Sequence, residues 1–190
     1  THFQSEVNQK YKLSIDNYLD LYNWSINYSE QFWEEIWNFS DIKFSNKYSQ
    51  IKTNNENIWD TKWFADSKLN YAENLLKFKN DNIAIYFYGE NKIEKTLTFN
   101  HLFSQVSKVA YSFKKLGLKK GDRVAAFIPN IPEAVIAMLA TTSIGAIWTS
   151  CSPDFGSQGV VDRFGQVQPS VLIVANGYNY NGKVFSLEQK

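Results

Sequence analysis

The chain has 190 residues, 44% of them hydrophobic and 21% charged, and its 20 basic side chains nearly balance 19 acidic ones. This suits one sizeable packed domain or two small ones, and a net charge of +1 creates no field for nucleic acid or an anionic membrane surface. No apolar run approaches the roughly 20 residues that span a bilayer, Thr1-His2-Phe3-Gln4 does not open a signal peptide, and the single Cys151 fits a reducing cytoplasm.

Glycine and proline divide the chain: residues 1–88 contain neither, whereas five of the six Trp fall at Trp24, Trp33, Trp37, Trp59 and Trp63. We therefore expect a helical, aromatic-rich preface over 1–80 and a different unit over 81–190. In the preface, Leu13, Tyr18, Leu21 and Tyr22 predict a helix over 15–23 with Ser14 as its N-cap. Ser29 opens a second, with Phe32, Trp33, Ile36, Trp37 and Phe39 on one face and Glu34 and Glu35 on the other. The Asn-rich 52–57 reads as a loop. A short helix over 69–76 should bury Tyr71, Ala72 and Leu75. The Trp-rich face lacks interleaved basic residues, which favours core packing over base stacking.

From residue 83 the pattern alternates. A strand over 83–88 turns at 89–92 into a second over 94–98. Leu102, Phe103, Val106, Val109, Ala110, Phe113 and Leu116 follow helical spacing, and Gly117 stops the helix. The apolar run 123–128 reads as a parallel strand buried on both faces. Pro132 starts a helix that is apolar all round over 134–140. A strand resumes at 146–149, Ser152-Pro153 reads as a helix cap with Pro at the first helical position, and 171–175 is a further buried strand. The expected class is α/β, with right-handed crossovers in a mainly parallel sheet. The final residues, 186–190, read as the first turn of a helix. With Thr rather than Met at the start, the chain reads as a fragment.

Ligands of such sheets bind beyond the carboxyl ends of the strands, here 129–131, 150–154 and 176–183. Ser150-Cys151-Ser152-Pro153-Asp154 is either a plain helix cap or a set of free N–H groups at a positive helix end, suited to an anion or a pantetheine amide. Lys183 is either a solvated lysine or a phosphate contact. Lys114, Lys115, Lys119, Lys120 and Arg123 suit a helix C-terminus or a solvated face, and Asp162 with Arg163, inside a helix, reads as a surface or inter-helix pair. No His stands near Cys151, which argues against a catalytic thiol, and no His, Cys or carboxylate spacing suggests a metal site. Neither G-x-x-x-x-G-K-[ST] nor G-x-G-x-x-G occurs.

Two stretches carry a resemblance. Leu69-Asn70-Tyr71-Ala72-Glu73-Asn74-Leu75-Leu76, preceded by Trp63-Phe64-Ala65-Asp66, resembles the signature that ends the N-terminal preface of acetyl- and acetoacetyl-CoA synthetases. Ser150-Cys151-Ser152-Pro153-Asp154-Phe155-Gly156, running on to Asp162-Arg163-Phe164-Gly165-Gln166, resembles the acetoacetyl-CoA synthetases in particular. Gly121-Asp122-Arg123-Val124 and Pro129-Asn130-Ile131-Pro132-Glu133-Ala134 resemble adenylate-forming ligases at large.

This resemblance implies an acid–thiol ligase using ATP, coenzyme A and Mg²⁺. Acetoacetate attacks the α-phosphate of ATP, pyrophosphate leaves, and the coenzyme A thiolate displaces AMP from the acyl-adenylate. Cations and N–H donors must stabilise the phosphoryl oxygens, but the family's phosphate loop, acidic motifs and mobile lysine have no counterpart here, so the isolated piece is expected to be inactive. What the resemblance implies for this chain is a coenzyme A surface from Ser150, Cys151, Ser152 and Pro153 at the pantetheine and Tyr180, Asn181, Gly182 and Lys183 at the nucleotide phosphate. Tyr180 and Lys183 stand where acetyl-CoA synthetases carry arginines, which leaves one cation without the bidentate fork. The expected partners are the small substrates and the rest of the same polypeptide. An acetate or propionate enzyme, or a non-catalytic interaction module, are the alternatives.

Overall fold

The computed structural model describes residues 1–53, 57–90 and 93–187. Most of the expected Asn-rich loop (54–56), two turn residues (91–92) and the last three residues (188–190) lie outside the described residues. The described chain forms two compact units, Thr1–Leu69 and Asn70–Lys190.

The first unit opens on a helix that the sequence reading left unassigned, α1 (His2–Tyr11). Thr1 and Gln4 close it reciprocally: the Thr1 hydroxyl accepts from the Gln4 N–H at 3.3 Å, while the Thr1 amino group donates to Gln4 Oε1 at 3.1 Å. The next helix, α2 (Tyr18–Asn27), begins later than expected and is capped by Asn17, not Ser14, through a 3.0 Å bond from the Asp20 N–H. Ile15 is buried instead, its N–H held by Asn8 Oδ1 at 2.9 Å. Helix α3 (Ser29–Phe39) follows, then the antiparallel pair β1 (Gln50–Lys52) and β2 (Trp63–Ala65).

Glu35 was expected on the open side of α3, yet it is buried and accepts from the Lys10 ammonium and the Tyr11 hydroxyl. Helix α1 supplies both partners, so missing that helix hid the burial. Core packing accounts for Trp24 and Trp37, the latter 4.7 Å from the Phe64 ring, while Trp33, Trp59 and Trp63 stay exposed.

Tyr48 donates to Glu34 Oε1 at 2.9 Å. Burial first, and then this bond, push its hydroxyl from 10.0 up to about 12. A folded value above the unfolded one contributes stability that is whole below pH 10 and is lost as the pH climbs through about 12. In a tyrosinate absorbance titration Tyr48 is expected to ionise last, beyond the smaller upward shifts of Tyr11 and Tyr178, and Glu34→Gln should lower its midpoint only part of the way. A Tyr48→Phe variant that keeps a phase near pH 12 contradicts this.

In the second unit α4 (Tyr71–Leu75) is capped by Asn70, whose Oδ1 accepts from the Glu73 N–H at 3.1 Å. The Asn70 amide also donates to the carbonyls of Thr142 and Ser143, at 3.0 and 3.3 Å. Those carbonyls end a later helix, where that of Thr142 also accepts from the Gly145 N–H at 3.0 Å, so one Asn serves two helix termini at once. The face buried is Ala72 and Leu76; Tyr71 and Leu75 are exposed, contrary to expectation. The register slips because Leu76, the C-cap, reaches the core.

Strands β3 (Ile83–Tyr88) and β4 (Glu94–Thr98) pair as the expected hairpin. Helix α5 (Phe99–Lys115) is capped by Thr98, 3.1 Å from the His101 N–H. Then β5 (Arg123–Phe127), α6 (Pro132–Ser143), β6 (Ile147–Cys151), α7 (Ser157–Val167) and β7 (Val171–Val174) give a parallel sheet ordered β6-β5-β7. Alternation divides the core along β5. Val124 packs with Leu102, Val106, Phe113 and Leu139 from α5 and α6, while Ala125 and Phe127 pack with Cys151 and Phe164. β7 is not buried throughout, since Leu172 and Val174 are exposed. Arg123 is half-buried and away from the end of α5: its Nε and Nη2 donate to the carbonyls of Val167 and Gln168, at 2.9 and 2.7 Å, closing α7. Nor do Asp162 and Arg163 pair with each other. Arg163 lies over the Phe155 ring at 4.1 Å, and Asp162 accepts from Gln158 at 2.7 Å.

Candidate functional site

The first candidate segment follows β6. Ser150 is exposed on the strand, whereas Cys151 is buried beside its ladder partner Phe127, among Ala125, Phe164 and Leu187. The expected helix start at Pro153 does not occur. Pro153 is buried in a turn and α7 begins only at Ser157, behind Gly156. Asp154, Phe155 and Gly156 interpose because the Ser152 side chain turns the chain back: its Oγ donates to Asp154 Oδ2 at 3.0 Å and stands 3.4 Å from the Asp154 N–H. The helix end expected at Ser150–Pro153 is therefore displaced, and what this segment presents is the exposed Ser150 and Ser152 side chains.

The second candidate segment is not a loop but a hairpin, β8 (Gly177–Tyr180) and β9 (Lys183–Ser186), paired from Gly177↔Ser186 to Tyr180↔Lys183. Ser186 is thus strand, not the start of a helix. Asn181 and Gly182, at φ +51° and +73°, form the two-residue turn. Asn-Gly between β-prone residues is the strongest short hairpin signal a sequence carries, and it was legible here. Tyr180 and Lys183 are exposed at the tip, while Tyr178 stacks on Phe185 with ring centres 5.3 Å apart.

Structure brings the two segments together through Asp154 and Tyr178. The Tyr178 hydroxyl is held above its ordinary value by desolvation and by its hydrogen bond to the Asp154 carboxylate. A second carboxylate, Glu90, was not among the sequence candidates; it accepts from the N–H groups of Asn181 and Gly182, at 2.9 and 3.0 Å. Beside the hairpin a cleft of about 530 Å³ is lined by Glu90, Lys95, Pro129, Asn130, Glu133 and Tyr178, with Lys95 and Glu133 paired at 3.5 Å. It lies where chain leaves β5 and enters β8, as expected of a ligand site in such a sheet. Among the described residues no group of three His, Cys, Asp or Glu is placed to hold a metal ion. None of the described helices is long and apolar enough to cross a membrane.

Residues 72–189 match the AMP-binding enzyme family, and residues 18–75 match the acetyl-coenzyme A synthetase N-terminus. An acetoacetyl-CoA synthetase of Macaca fascicularis is 46% identical over 99% of this chain, and a malonamoyl-CoA synthetase of Penicillium aethiopicum is 37% identical over 96% of it. These matches span 28% and 26% of those relatives' own lengths. A solved acetoacetyl-CoA synthetase from Streptomyces lividans superposes with a TM-score of 0.90 at 35% identity, covering 99% of this chain and 30% of that one. With a fold shared at that level and the family match running over most of its length, the chain belongs to the AMP-binding enzyme family.

Proposed function

We propose that the chain is the N-terminal portion of a cytoplasmic acetoacetate–CoA ligase, which converts ATP, acetoacetate and coenzyme A into AMP, pyrophosphate and acetoacetyl-CoA. The observation that carries this is the 46% identity to an acetoacetyl-CoA synthetase across 99% of the chain. Residues 1–80 would serve as the preface and 81–190 as the opening of the adenylate-forming domain. Malonamate, with an amide in place of the methyl ketone, is a second substrate reading, favoured by the 37% identity to a malonamoyl-CoA synthetase.

In this reading the chain supplies part of a coenzyme A surface and leaves adenylate formation to the rest of the polypeptide. Ser150 and Ser152 offer hydroxyls to the pantetheine, and buried Cys151 and Pro153 fix the turn that presents them. Tyr180, Asn181, Gly182 and Lys183 form the hairpin tip, where the Lys183 ammonium meets a phosphate as a point charge. In the full-length protein Lys183→Ala should raise the KM for coenzyme A about five-fold, in line with the roughly 1 kcal/mol of a partly exposed charge contact, while acetoacetate-dependent ATP–pyrophosphate exchange is unchanged. An unaltered coenzyme A dependence removes Lys183 from the site.

A further inference from the structure

In a two-residue turn of this type the ladder closes through the flanking pair, here Tyr180↔Lys183, and leaves the N–H groups of the two turn residues unused. Consecutive N–H groups on left-handed residues converge on one point and form a small anion cradle. Glu90 fills it with both oxygens: Oε1 takes the Asn181 N–H at 2.9 Å and Oε2 the Gly182 N–H at 3.0 Å. Glu90 directly follows Gly89, whose N–H is fastened to the Ile93 carbonyl at 2.8 Å at the end of the β3–β4 hairpin. The tip is therefore tied to an element about ninety residues earlier, while Tyr178 at the other end of β8 is tied to Asp154.

We infer that Glu90 is a positioning residue: its carboxylate clasps the Asn181–Gly182 turn and thereby sets where the adjoining Lys183 stands for the thiol-transfer step. This rests on the coenzyme A reading above. A lysine carries its charge on a flexible four-carbon stem and has no fork to orient it, so its placement depends on how firmly the backbone beneath it is held. The two N–H donors offset the Glu90 charge, which would otherwise oppose an approaching phosphate.

The test uses the full-length protein with Glu90→Ala and Glu90→Gln, reading amide hydrogen exchange at Asn181 and Gly182 beside the two half-reactions. Glu90→Ala should speed exchange of both amides roughly ten-fold, the loss expected for a bond to a charged acceptor. It should also raise the KM for coenzyme A several-fold, with ATP–pyrophosphate exchange intact as evidence of folding. Glu90→Gln keeps one acceptor oxygen and should fall between. Unchanged exchange at both amides overturns the clasp. Faster exchange with a lowered KM for coenzyme A overturns positioning in favour of plain charge repulsion. Faster exchange with an unchanged KM also overturns it, and if Lys183→Ala is then silent too, the failure lies with the coenzyme A reading of the hairpin.

Discussion

Leu139→Ala is expected to lower the unfolding free energy of the second unit by about 2–5 kcal/mol, the range for truncating a buried leucine whose surroundings cannot collapse. Leu139 is 2% exposed, and it shares its cluster with Leu102, Val106 and Phe113 of α5, Val124 of β5 and Ala146 ahead of β6. Its neighbours belong to different elements, so filling the void means moving helices rather than rotating a side chain. Leu139→Met keeps the volume and should cost less than about 1.5 kcal/mol. Urea unfolding of the full-length protein, followed at Trp148, which packs against the same cluster, checks both. An alanine variant as stable as the methionine one would mean that α6 is not seated as described.

Gly177→Ala should have the larger functional effect. A Cβ at Gly177 would stand 2.6 Å from the Phe185 carbonyl oxygen, a backbone atom that cannot swing aside. The Gly177↔Ser186 pair must then open, and with it the root of the hairpin that carries Tyr180 and Lys183. Coenzyme A-dependent turnover is expected to fall by at least about ten-fold, equivalent to roughly 1.4 kcal/mol, while adenylate formation persists. Gly182→Ala makes the comparison, since it has open space around the new methyl and only a φ of +73° to resist it. The left-handed penalty of about 1–2 kcal/mol should leave the hairpin formed. If both variants behave alike, close backbone approach is not what reserves position 177 for glycine.

Much of the second unit was legible because its elements bury continuous faces. The spacing from Leu102 to Leu116 and the run through Val124 and Phe127 announce a helix and a central strand whatever surrounds them. Errors arose where a partner distant in sequence decides the outcome. Glu35 looks like a solvated residue until α1 brings Lys10 and Tyr11 to it, and α1 itself buries only Val7, too little for a periodic signal. Ser152-Pro153 satisfies the local rule for a helix start, yet the Ser152–Asp154 bond turns the chain and postpones α7 to Ser157. The hairpin at 177–186 was a different kind of miss, since Asn181-Gly182 carried the turn chemistry openly. Both candidate segments, with Tyr178 inside the second, were proposed from the sequence. Glu90, which holds the second of them, was not, because no local pattern links residue 90 to residues 181 and 182.

Acyl selectivity of the full-length protein tests the central claim most directly. ATP–pyrophosphate exchange should proceed with a kcat/KM for acetoacetate at least about ten-fold above that for acetate, since a pocket shaped for the longer acid loses a favourable contact with each missing group. Malonamate, nearly isosteric, should fall between them. Equal or reversed rates for acetoacetate and acetate would contradict the assignment, and a preference for malonamate would transfer it to the second reading.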